Sequence, residues 1–385
     1  MSQSFEIEKH IKYIKRNLMA LPSPYTSALP NHLSIVYFML SGLDILDRLD
    51  QEIDDTLSTQ IKEFVYSRQI LPYYQQPDDN IINCGFRGAN FIGQPFDNSV
   101  QQQQQSTTSS STPSSSSLCL CQSYPIVACD QSTLANSYCA LMILRILRDD
   151  LGRVNKKSIT NAMKHLQQPD GSYVGASGGG ESDMRYLYTA CAISFLLEDW
   201  SGIDIDLALQ YIRSSFGYEF AFGQGPLQEA HGGSTYCAIA ALSLLGLLDQ
   251  EFPKQSVKRE KLVQWLVMKQ ISGFSGRTNK DPDTCYSFWI GASLDMLGAY
   301  HLVDSNLVSS FILGAQHPAI GGISKIPDSF PDALHSYMSF SGLSIIQNNN
   351  QTAGQGEKFN FHLQSLNCSI GLTNKTANTF LNNNK

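Results

Sequence analysis

The feature that most constrains the fold of this chain is an internal repeat with a period of 50 residues. Five apolar segments align with one another: LANSYCALMILRIL, MRYLYTACAISFLL, STYCAIAALSLLGLL, TCYSFWIGASLDML and LHSYMSFSGLSII. The equivalent positions in this alignment are Ala135, Arg185, Thr235, Cys285 and His335. Each segment has apolar residues at helical spacing, whereas strand patterns are scarce. A repeat of this length predicts stacked helical units.

Most repeats contain a glycine-rich turn before the apolar helix and a second helix in the remaining gap. The turns include DGSYVGASGGG, SGFSGR and GGISKIPD, and VKREKLVQWLVMKQ is one of the second helices. Each unit is therefore predicted to be a pair of helices with a glycine loop. Stacked helix pairs form a solenoid or close into an α–α barrel, so the predicted fold class is all-α with about five to six such repeats.

Two low-complexity segments are predicted to lie outside the packed domain, which is expected over residues 1–347. The tract at 98–117, NSVQQQQQSTTSSSTPSSSS, cannot bury a core and is predicted to be a disordered insertion. Residues 348–385 begin NNNQTAGQGEK and end NKTANTFLNNNK, and they are predicted to form a loose tail. Cys119 and Cys121 follow the serine tract, and a metal role for this pair is disfavoured.

Composition and charge argue against several classes of protein. The formal net charge of −7 disfavours a general nucleic-acid binder. The apolar runs are too short to span a bilayer, so no stable membrane insertion is expected. The start, MSQSFEIEKHIKYIKRNL, is charged and is not a secretory signal. Nine irregularly spaced cysteines do not resemble a disulfide framework, which favours a cytoplasmic protein with mostly buried free thiols.

The repeat register brings a possible metal site together. Cys285 and His335 are equivalent in adjacent repeats, and equivalent positions of stacked units lie side by side. Asp283 is two residues before Cys285, so all three side chains can converge. One oxygen, one sulfur and one nitrogen ligand suit zinc, and three protein ligands leave a fourth position open, as in catalytic sites. Taken singly, these residues would more often be a helix cap, a buried thiol and a surface histidine.

Basic and hydroxyl groups lie close to this cluster in sequence. Arg277 and Lys280 precede Asp283, Tyr286 follows Cys285, and His231 ends another glycine loop. Such groups around a helix N-terminus form an anion site that suits a diphosphate, although Arg277 and Lys280 alone would more often be solvated. The repeats also supply aromatic side chains that would pack between helices or line an apolar pocket for a long hydrocarbon. These are Tyr186, Tyr188, Tyr236, Phe288 and Trp289.

Six motifs in order carry a family resemblance across most of residues 30–345: SGLDILDRLD, CGFRG, DGSYVGASGGGESDMRYLY, GQGPLQEAHGGSTYCAIA, GRTNKDPDTCYSFWIGASL and GGISKIPDSFPDALHSYMSFSGLS. With these motifs the chain resembles protein prenyltransferase β subunits, and most closely those of the type I geranylgeranyltransferases. The resemblance implies an α–α barrel in an obligate heterodimer with a helical α subunit. It also implies one zinc ion, held by Asp283, Cys285 and His335.

The resemblance further implies roles for the surrounding residues. The implied reaction moves a geranylgeranyl group from its diphosphate to the cysteine of a C-terminal CaaX sequence, on proteins such as small GTPases, through a zinc-bound thiolate. Negative charge on the departing diphosphate would be stabilised by His231, Arg277, Lys280, Tyr286 and Lys325. The remaining residues implied at the geranylgeranyl diphosphate site are Arg185, Gly232, Gly233, Thr278, Asn279, Ser287, Phe288 and Trp289.

Three positions favour geranylgeranyl over farnesyl transfer, by comparison with the family pattern. Ser34, with Phe38 one turn on, stands where farnesyltransferases have a bulky tryptophan, so a longer lipid fits. Leu334 stands where they have tyrosine and would favour CaaX tails that end in leucine or phenylalanine. Lys325 stands where they have an aspartate that recruits magnesium, so magnesium should be dispensable. Ile326 departs from the family pattern, in which an aromatic is usual, and this would alter peptide preference.

Three alternatives remain open from the residues. A farnesyltransferase β subunit would share the same fold. A terpene cyclase would also use an α–α barrel, but the segment nearest to its acidic D-x-D-D motif is IDID at 203–206, which lacks the final acid pair. A binding solenoid with structural zinc would need a fourth protein ligand, and no obvious one is in register.

Overall fold

The computed structural model describes residues 4–72, 83–88, 131–352 and 361–381. Within them the regular secondary structure is α-helical apart from short antiparallel strand pairs and two 3₁₀ turns. The predicted insertion at 98–117, with Cys119 and Cys121, lies outside these residues. The helices are α1 Ile7–Met19, α2 His32–Ile45, α3 Leu49–Glu52, α4 Asp55–Tyr66, α5 Leu134–Ile146, α6 Lys156–Leu166, α7 Met184–Leu197, α8 Ile205–Ser214, α9 Gly232–Leu244, α10 Leu248–Glu251, α11 Val257–Val267, α12 Tyr286–Met296, α13 Ser305–Gly314, α14 Ala333–Thr352 and α15 Asn374–Leu381. The strand pairs are β1 Gln69–Ile70 with β2 Gly85–Phe86, β3 Tyr173–Val174 with β4 Ser182–Asp183, and β5 Leu366–Asn367 with β6 Leu372–Thr373; the 3₁₀ turns are Ser23–Asn31 and Tyr300–Leu302.

Six of the described helices form a closed inner ring. Each packs against the next in the order α2, α5, α7, α9, α12 and α14, and α14 packs against α2. These helices are apolar on nearly all sides; α9, for example, buries ten of its thirteen residues. A helix that is apolar all round must be surrounded by other elements. The predicted α–α barrel is therefore confirmed.

The outer helices carry one apolar stripe each and alternate with the inner helices along the chain. They are α1, α4, α6, α8, α11 and α13. In α6 the buried residues Ile159, Ala162, Met163 and Leu166 follow the spacing of one helix face, and that face packs towards α7. The described residues thus contain six inner–outer pairs, within the predicted range.

The glycine loops before α7, α9, α12 and α14 place the starts of these inner helices in equivalent positions. Ala135, Arg185, Thr235 and His335 lie in the first turn of α5, α7, α9 and α14, and Cys285 immediately precedes α12. The loops before α7, α9, α12 and α14 each fold back on the end of an outer helix through a similar antiparallel bridge. The residues that are equivalent in the sequence repeat therefore occupy equivalent positions in the structure.

The expectation of a loose tail over 348–385 is wrong for residues 361–381. Helix α14 continues to Thr352, and after the undescribed residues 353–360 the chain returns to the domain as β5, β6 and α15. The turn between β5 and β6 lies inside the ring, where its successive carbonyl groups accept hydrogen bonds from tyrosine hydroxyls of four inner helices. These bonds join Tyr236 to Cys368 (3.1 Å), Tyr188 to Ser369 (3.2 Å), Tyr138 to Ile370 (3.2 Å) and Tyr337 to Gly371 (2.9 Å).

A buried carboxylate anchors the same C-terminal segment to α2. Asp44 is 4% exposed and accepts hydrogen bonds from the hydroxyls of Thr373, at 2.7 Å, and Thr376, at 2.8 Å. Lys375 lies 3.3 Å from Asp47, which belongs to the same SGLDILDRLD motif. The polar composition of the segment hid this role, because its threonine and asparagine side chains are bonded inside the protein.

The described residues show two further features. None of their helices combines the length and the apolar character that a bilayer crossing requires. Their six cysteines are all buried and are not joined in disulfides.

Candidate metal and diphosphate site

Asp283, Cys285 and His335 converge where α12 and α14 begin. Their possible ligand atoms all lie within 4.8 Å of one another, and no other such group of His, Cys, Asp and Glu side chains occurs in the described ranges. Asp283 and Cys285 are buried, and His335 is partly buried. The sequence register predicted this convergence. The described residues contribute no fourth ligand to the group, so a tetrahedral ion held here would keep one position open.

His335 is oriented by an aspartate that the sequence analysis missed. Asp332 accepts the backbone N–H of His335 at 2.9 Å through Oδ1, and its Oδ2 lies 2.6 Å from His335 Nδ1. This contact places the Nδ1 proton towards Asp332 and directs Nε2 towards Asp283 Oδ1, 3.3 Å away. A carboxylate behind a metal-binding histidine commonly sets its tautomer in this way. The spacing D-x-x-H at the start of an apolar helix was the available signal.

The pKa shifts of the three groups show that they interact with one another. Burial alone would lower the pKa of His335, but hydrogen bonds with Asp283 and Asp332 raise it to about 9. Burial alone would raise the pKa of Asp283, but hydrogen bonds with His335 and Cys285 hold it below the usual value. Burial and the Asp283 carboxylate raise the pKa of the Cys285 thiol. A carboxylate, a thiol and an imidazole therefore share a buried space in which a divalent cation could replace protons, and this donor set fits zinc.

Lys325 stands at the edge of this group. Its Nζ atom is 3.8 Å from Asp283 Oδ2, and its side chain is 62% exposed. The ammonium group is therefore accessible to a ligand that enters from solvent.

The residues predicted to bind an anion lie on two neighbouring glycine loops and at the start of α12. His231 Nδ1 accepts the N–H of Gly233 at 3.0 Å, so Nε2 carries the proton and donates to the Tyr286 oxygen, also at 3.0 Å. Burial and the charge of Arg277 lower the pKa of His231, which keeps the ring neutral. Gly276 leaves room for the side chain of Tyr286, because a Cβ atom there would lie 2.0 Å from the Tyr286 ring.

The cations of this site have partners in the loops. Arg277 Nη1 lies 3.0 Å from Glu229 Oε2, and both side chains are partly exposed. Lys269 donates to the hydroxyl of Thr278 at 2.9 Å and so braces the loop that carries Lys280. Glu229 and Lys269 were missed by the sequence analysis. Glu229 lies in the quoted motif GQGPLQEAHGG, two residues before His231.

Several other predicted site residues are held by local contacts. Arg185 is held by Asp183, with its Nη2 atom 2.5 Å from Oδ2. Gly232 donates its N–H to Gly276 O at 2.8 Å, and Asn279 has a left-handed backbone with φ of +58°. Ser287 is buried, and its hydroxyl donates to Thr284 O, so it packs between helices.

Aromatic side chains line the inner ring beside the candidate metal group. Tyr236 lies 4.9 Å from Phe288 and 5.1 Å from Trp289, measured between ring centroids. On the adjoining helices α2 and α14, Phe38 stacks on Tyr337 with centroids 5.5 Å apart. These side chains are buried or half-buried, and their aromatic rings give the inside of the ring of helices an apolar lining.

The three residues predicted to set specificity lie on neighbouring helices. Ser34 and Phe38 are on α2, and Leu334 is on α14, directly before His335. The Ser34 hydroxyl accepts a hydrogen bond from the Cys139 thiol at 3.5 Å. All three side chains are partly buried.

Comparison with known proteins agrees with this architecture. Residues 5–372 match the prenyltransferase alpha-alpha toroid domain. The chain is 50% identical to the geranylgeranyl transferase type-1 subunit beta of Dictyostelium discoideum, over 90% of this chain and 92% of that protein. It is 34% identical to the protein of the same name from Arabidopsis thaliana, over 90% and 86%. The structure of Candida albicans protein geranylgeranyltransferase-I complexed with GGPP superposes with a TM-score of 0.76 at 26% identity, covering 99% of this chain and 100% of that one. The chain therefore belongs to the prenyltransferase alpha-alpha toroid family.

Proposed function

We propose that this chain is the catalytic β subunit of a zinc-dependent protein geranylgeranyltransferase of type I. The observation that carries the proposal is the convergence of Asp283, Cys285 and His335 within 4.8 Å, at the end of an aromatic-lined helical ring. The names of the Dictyostelium and Arabidopsis relatives support the same activity. The substrates would be geranylgeranyl diphosphate and proteins that end in CaaX, preferably with leucine last.

The three converging side chains would hold Zn²⁺, and the ion would supply the positive charge that lowers the pKa of a substrate thiol. Asp332 would keep the Nδ1 proton of His335 in place and leave Nε2 for the metal. Cys285 acts as a ligand and not as a nucleophile. The sulfur–carbon bond to C1 of the isoprenoid forms as the carbon–oxygen bond to diphosphate breaks.

Neighbouring side chains would stabilise the charge that develops on the departing diphosphate. The hydroxyl of Tyr286 and the Nε2–H of His231, which contact each other at 3.0 Å, would be among these donors. Arg277 would exchange Glu229 for a phosphate oxygen, and Lys280 would donate from the same loop. Lys325 would supply positive charge from the metal side, so that magnesium is not needed.

The choice of lipid would follow from the space beside Ser34. A serine at this position of α2 leaves more room in the ring than a tryptophan would, and Phe38 forms the adjoining wall against Tyr337. The alternative is a farnesyltransferase β subunit with the same metal chemistry. The small residue at Ser34 and the cation at Lys325 favour the geranylgeranyl enzyme.

We propose an α subunit as the obligate partner and the reducing cytosol as the location. Exposed apolar side chains on the glycine loops support a partner surface: Leu227, Tyr218 and Phe330 are 103%, 92% and 84% exposed. The buried free thiols of the described residues are compatible with a reducing compartment.

The decisive experiment is lipid transfer by the chain co-expressed with a type I α subunit. Farnesyl and geranylgeranyl diphosphate compete for a CaaX peptide that ends in leucine, with and without magnesium. We expect preferred geranylgeranyl transfer that ignores magnesium. Preferred farnesyl transfer that needs magnesium would assign the chain to the farnesyltransferases.

Metal analysis of the same heterodimer tests the zinc assignment. Asp283→Ala, Cys285→Ala and His335→Ala should each lose zinc and nearly all turnover. Cys191→Ala is the control, because it removes another buried thiol, on α7, and should keep one zinc per β subunit. Full zinc content in the three site variants would contradict the assignment.

A further inference from the structure

The N-terminal helix α1 contributes no residue to the proposed chemistry, yet it is bound to the last glycine loop of the ring. His10 of this helix is fully buried. Its Nδ1 atom accepts the N–H of Gly322 at 3.0 Å, which leaves the proton on Nε2. Nε2 then donates to Gln316 Oε1 at 2.8 Å. His10 thus joins the two sides of the loop, which pair with each other through Gln316 and Ile323.

The loop is shaped to receive this helix. Gly321 and Gly322 both have left-handed backbones, with φ of +72° and +77°. A Cβ atom on Gly321 would lie 2.2 Å from the carbonyl oxygen of Lys9, and one on Gly322 would lie 3.0 Å from the ring of Tyr13. The backbone of the loop therefore lies directly on α1, and larger residues at these positions would push the two apart.

The residues that follow Gly322 connect the two segments that carry the candidate ligands. Ile323 accepts the Ser336 hydroxyl at 3.3 Å and donates its N–H back to the same oxygen at 2.9 Å. The carbonyls of Ser324 and Lys325 accept from Thr284, at 2.7 Å from Oγ1 and 3.0 Å from the backbone N–H. The three contacts made by the Ser336 and Thr284 hydroxyls are buried.

The residues that make these contacts are adjacent in sequence to all three candidate ligands. Thr284 stands between Asp283 and Cys285, and Ser336 follows His335. Residues 323–325 therefore span the gap between the start of α12 and the start of α14, and their position sets how far apart the ligand-bearing segments lie. A metal site tolerates errors of only about 0.5 Å in the placement of its ligands.

We propose that His10 is a positioning residue for the metal site. By holding Gly322, it keeps residues 323–325 against Thr284 and Ser336, and thereby keeps Asp283, Cys285 and His335 at ligand spacing. The same contact fixes the backbone of Lys325 at the mouth of the site. This inference rests on the proposed zinc function and names a residue on α1 through which the metal affinity is set.

Two substitutions at His10 separate its two hydrogen bonds. In His10→Asn the side-chain oxygen reaches the place of Nδ1, so the bond from Gly322 is kept and the bond to Gln316 is lost. In His10→Gln the amide reaches the place of Nε2, so the bond to Gln316 is kept and the bond from Gly322 is lost. Both variants place a smaller side chain in a buried site and should lower stability alike.

The test is zinc affinity, measured on the heterodimer by competition with a chelator. His10→Gln should weaken zinc binding roughly tenfold, the lower end of the effect of residues that orient metal ligands. His10→Asn should change it less than about threefold, since it retains the contact with Gly322. Tyr173→Phe is the stability control, because it removes a buried hydroxyl that donates to Gly202 O at 2.9 Å, distant in sequence from this network.

A double-mutant cycle with Thr284→Val provides the second readout. Thr284→Val removes the hydroxyl contact with Ser324, so the combined variant His10→Gln/Thr284→Val should lose less zinc affinity than the sum of the two single losses. Equal zinc affinity in His10→Gln and His10→Asn, with lowered stability in both, would overturn the inference. If His10→Gln does not accumulate, unchanged zinc affinity in Thr284→Val overturns it. Absence of zinc from the unmodified heterodimer would refute the proposed function itself and is distinguishable from these results.

Discussion

Removal of the Tyr337 hydroxyl should release the C-terminal hairpin from the inner ring. Tyr337 is 2% exposed, and its hydroxyl donates to Gly371 O at 2.9 Å while accepting from Tyr37 at 2.9 Å. In Tyr337→Phe, Tyr37 can still donate to the hydroxyl of Tyr138, 3.2 Å away. The Gly371 carbonyl loses its hydroxyl donor inside an aromatic enclosure. The substitution therefore leaves the Gly371 carbonyl without its hydroxyl donor, whereas the Tyr37 and Tyr138 hydroxyls keep hydrogen-bond partners.

The magnitude follows from that stranded carbonyl. A buried acceptor without its partner raises the free energy of the folded state by about 1–3 kcal/mol. The effect should appear as easier local opening of β5, β6 and α15. At 25 °C this corresponds to roughly 5- to 150-fold faster amide hydrogen exchange in the segment.

The measurement is hydrogen exchange of the heterodimer, followed at the amides of Gly371 and Asn374, which donate to Asn367 O and Ser365 O. Tyr173→Phe is the matched control, since it deletes an equally buried hydroxyl–carbonyl bond outside the hairpin. Exchange in Tyr337→Phe within about twofold of the unmodified protein would refute the reasoning, because it corresponds to less than about 0.5 kcal/mol. Equal acceleration by Tyr173→Phe would show that the effect is global.

Four further predictions concern the site and the N-terminal helix. Asp332→Asn should keep the helix cap but turn an amide donor towards His335 Nδ1, and chelator competition should show zinc binding about 10- to 100-fold weaker. Lys325→Asp should make transfer depend on magnesium, and a flat magnesium titration would contradict the role of this lysine. Ser34→Trp should shift donor choice towards farnesyl diphosphate in a competition assay. Burial lowers the pKa of His10 to about 4, below its unfolded value. The contribution of neutral His10 to stability is therefore complete above pH 6.5 and is lost as the pH falls towards 4. The free energy of unfolding should be about 2 kcal/mol lower at pH 5 than at pH 7.5.

The pH prediction has a direct control. His10→Asn replaces the titrating group, so its stability should fall less between pH 7.5 and pH 5 than that of the unmodified protein. The other groups that shift the pKa of His10 are Gln316, Glu6 and Lys9, and all three remain in the variant. An identical pH dependence in both proteins would exclude His10 as the source.

The helix pairs and the convergence of the candidate metal ligands were predictable because they depend on periodicity. Apolar spacing identifies a helix within a few turns of chain, and a constant repeat brings equivalent residues of neighbouring units together. Cys285 and His335 were assigned to one site on that basis, and their candidate ligand atoms lie within 4.8 Å together with those of Asp283. The repeat register alone therefore predicts which residues of neighbouring units lie together, and no long-range contact has to be known.

Closure of the ring and the anchoring of both ends of the described chain were decided by the tertiary structure. Whether α14 meets α2 depends on the rotation accumulated over all the units, which no single repeat encodes. In the sequence, the polar stretch around Thr373 has the composition of a tail. In the structure, the Thr373 hydroxyl donates a hydrogen bond to Asp44, 329 residues away in sequence. His10 similarly acquires a role only through Gly322, 312 residues later. A single buried hydrogen bond has no periodic signature, so these contacts exist only once the folded chain brings its distant segments together.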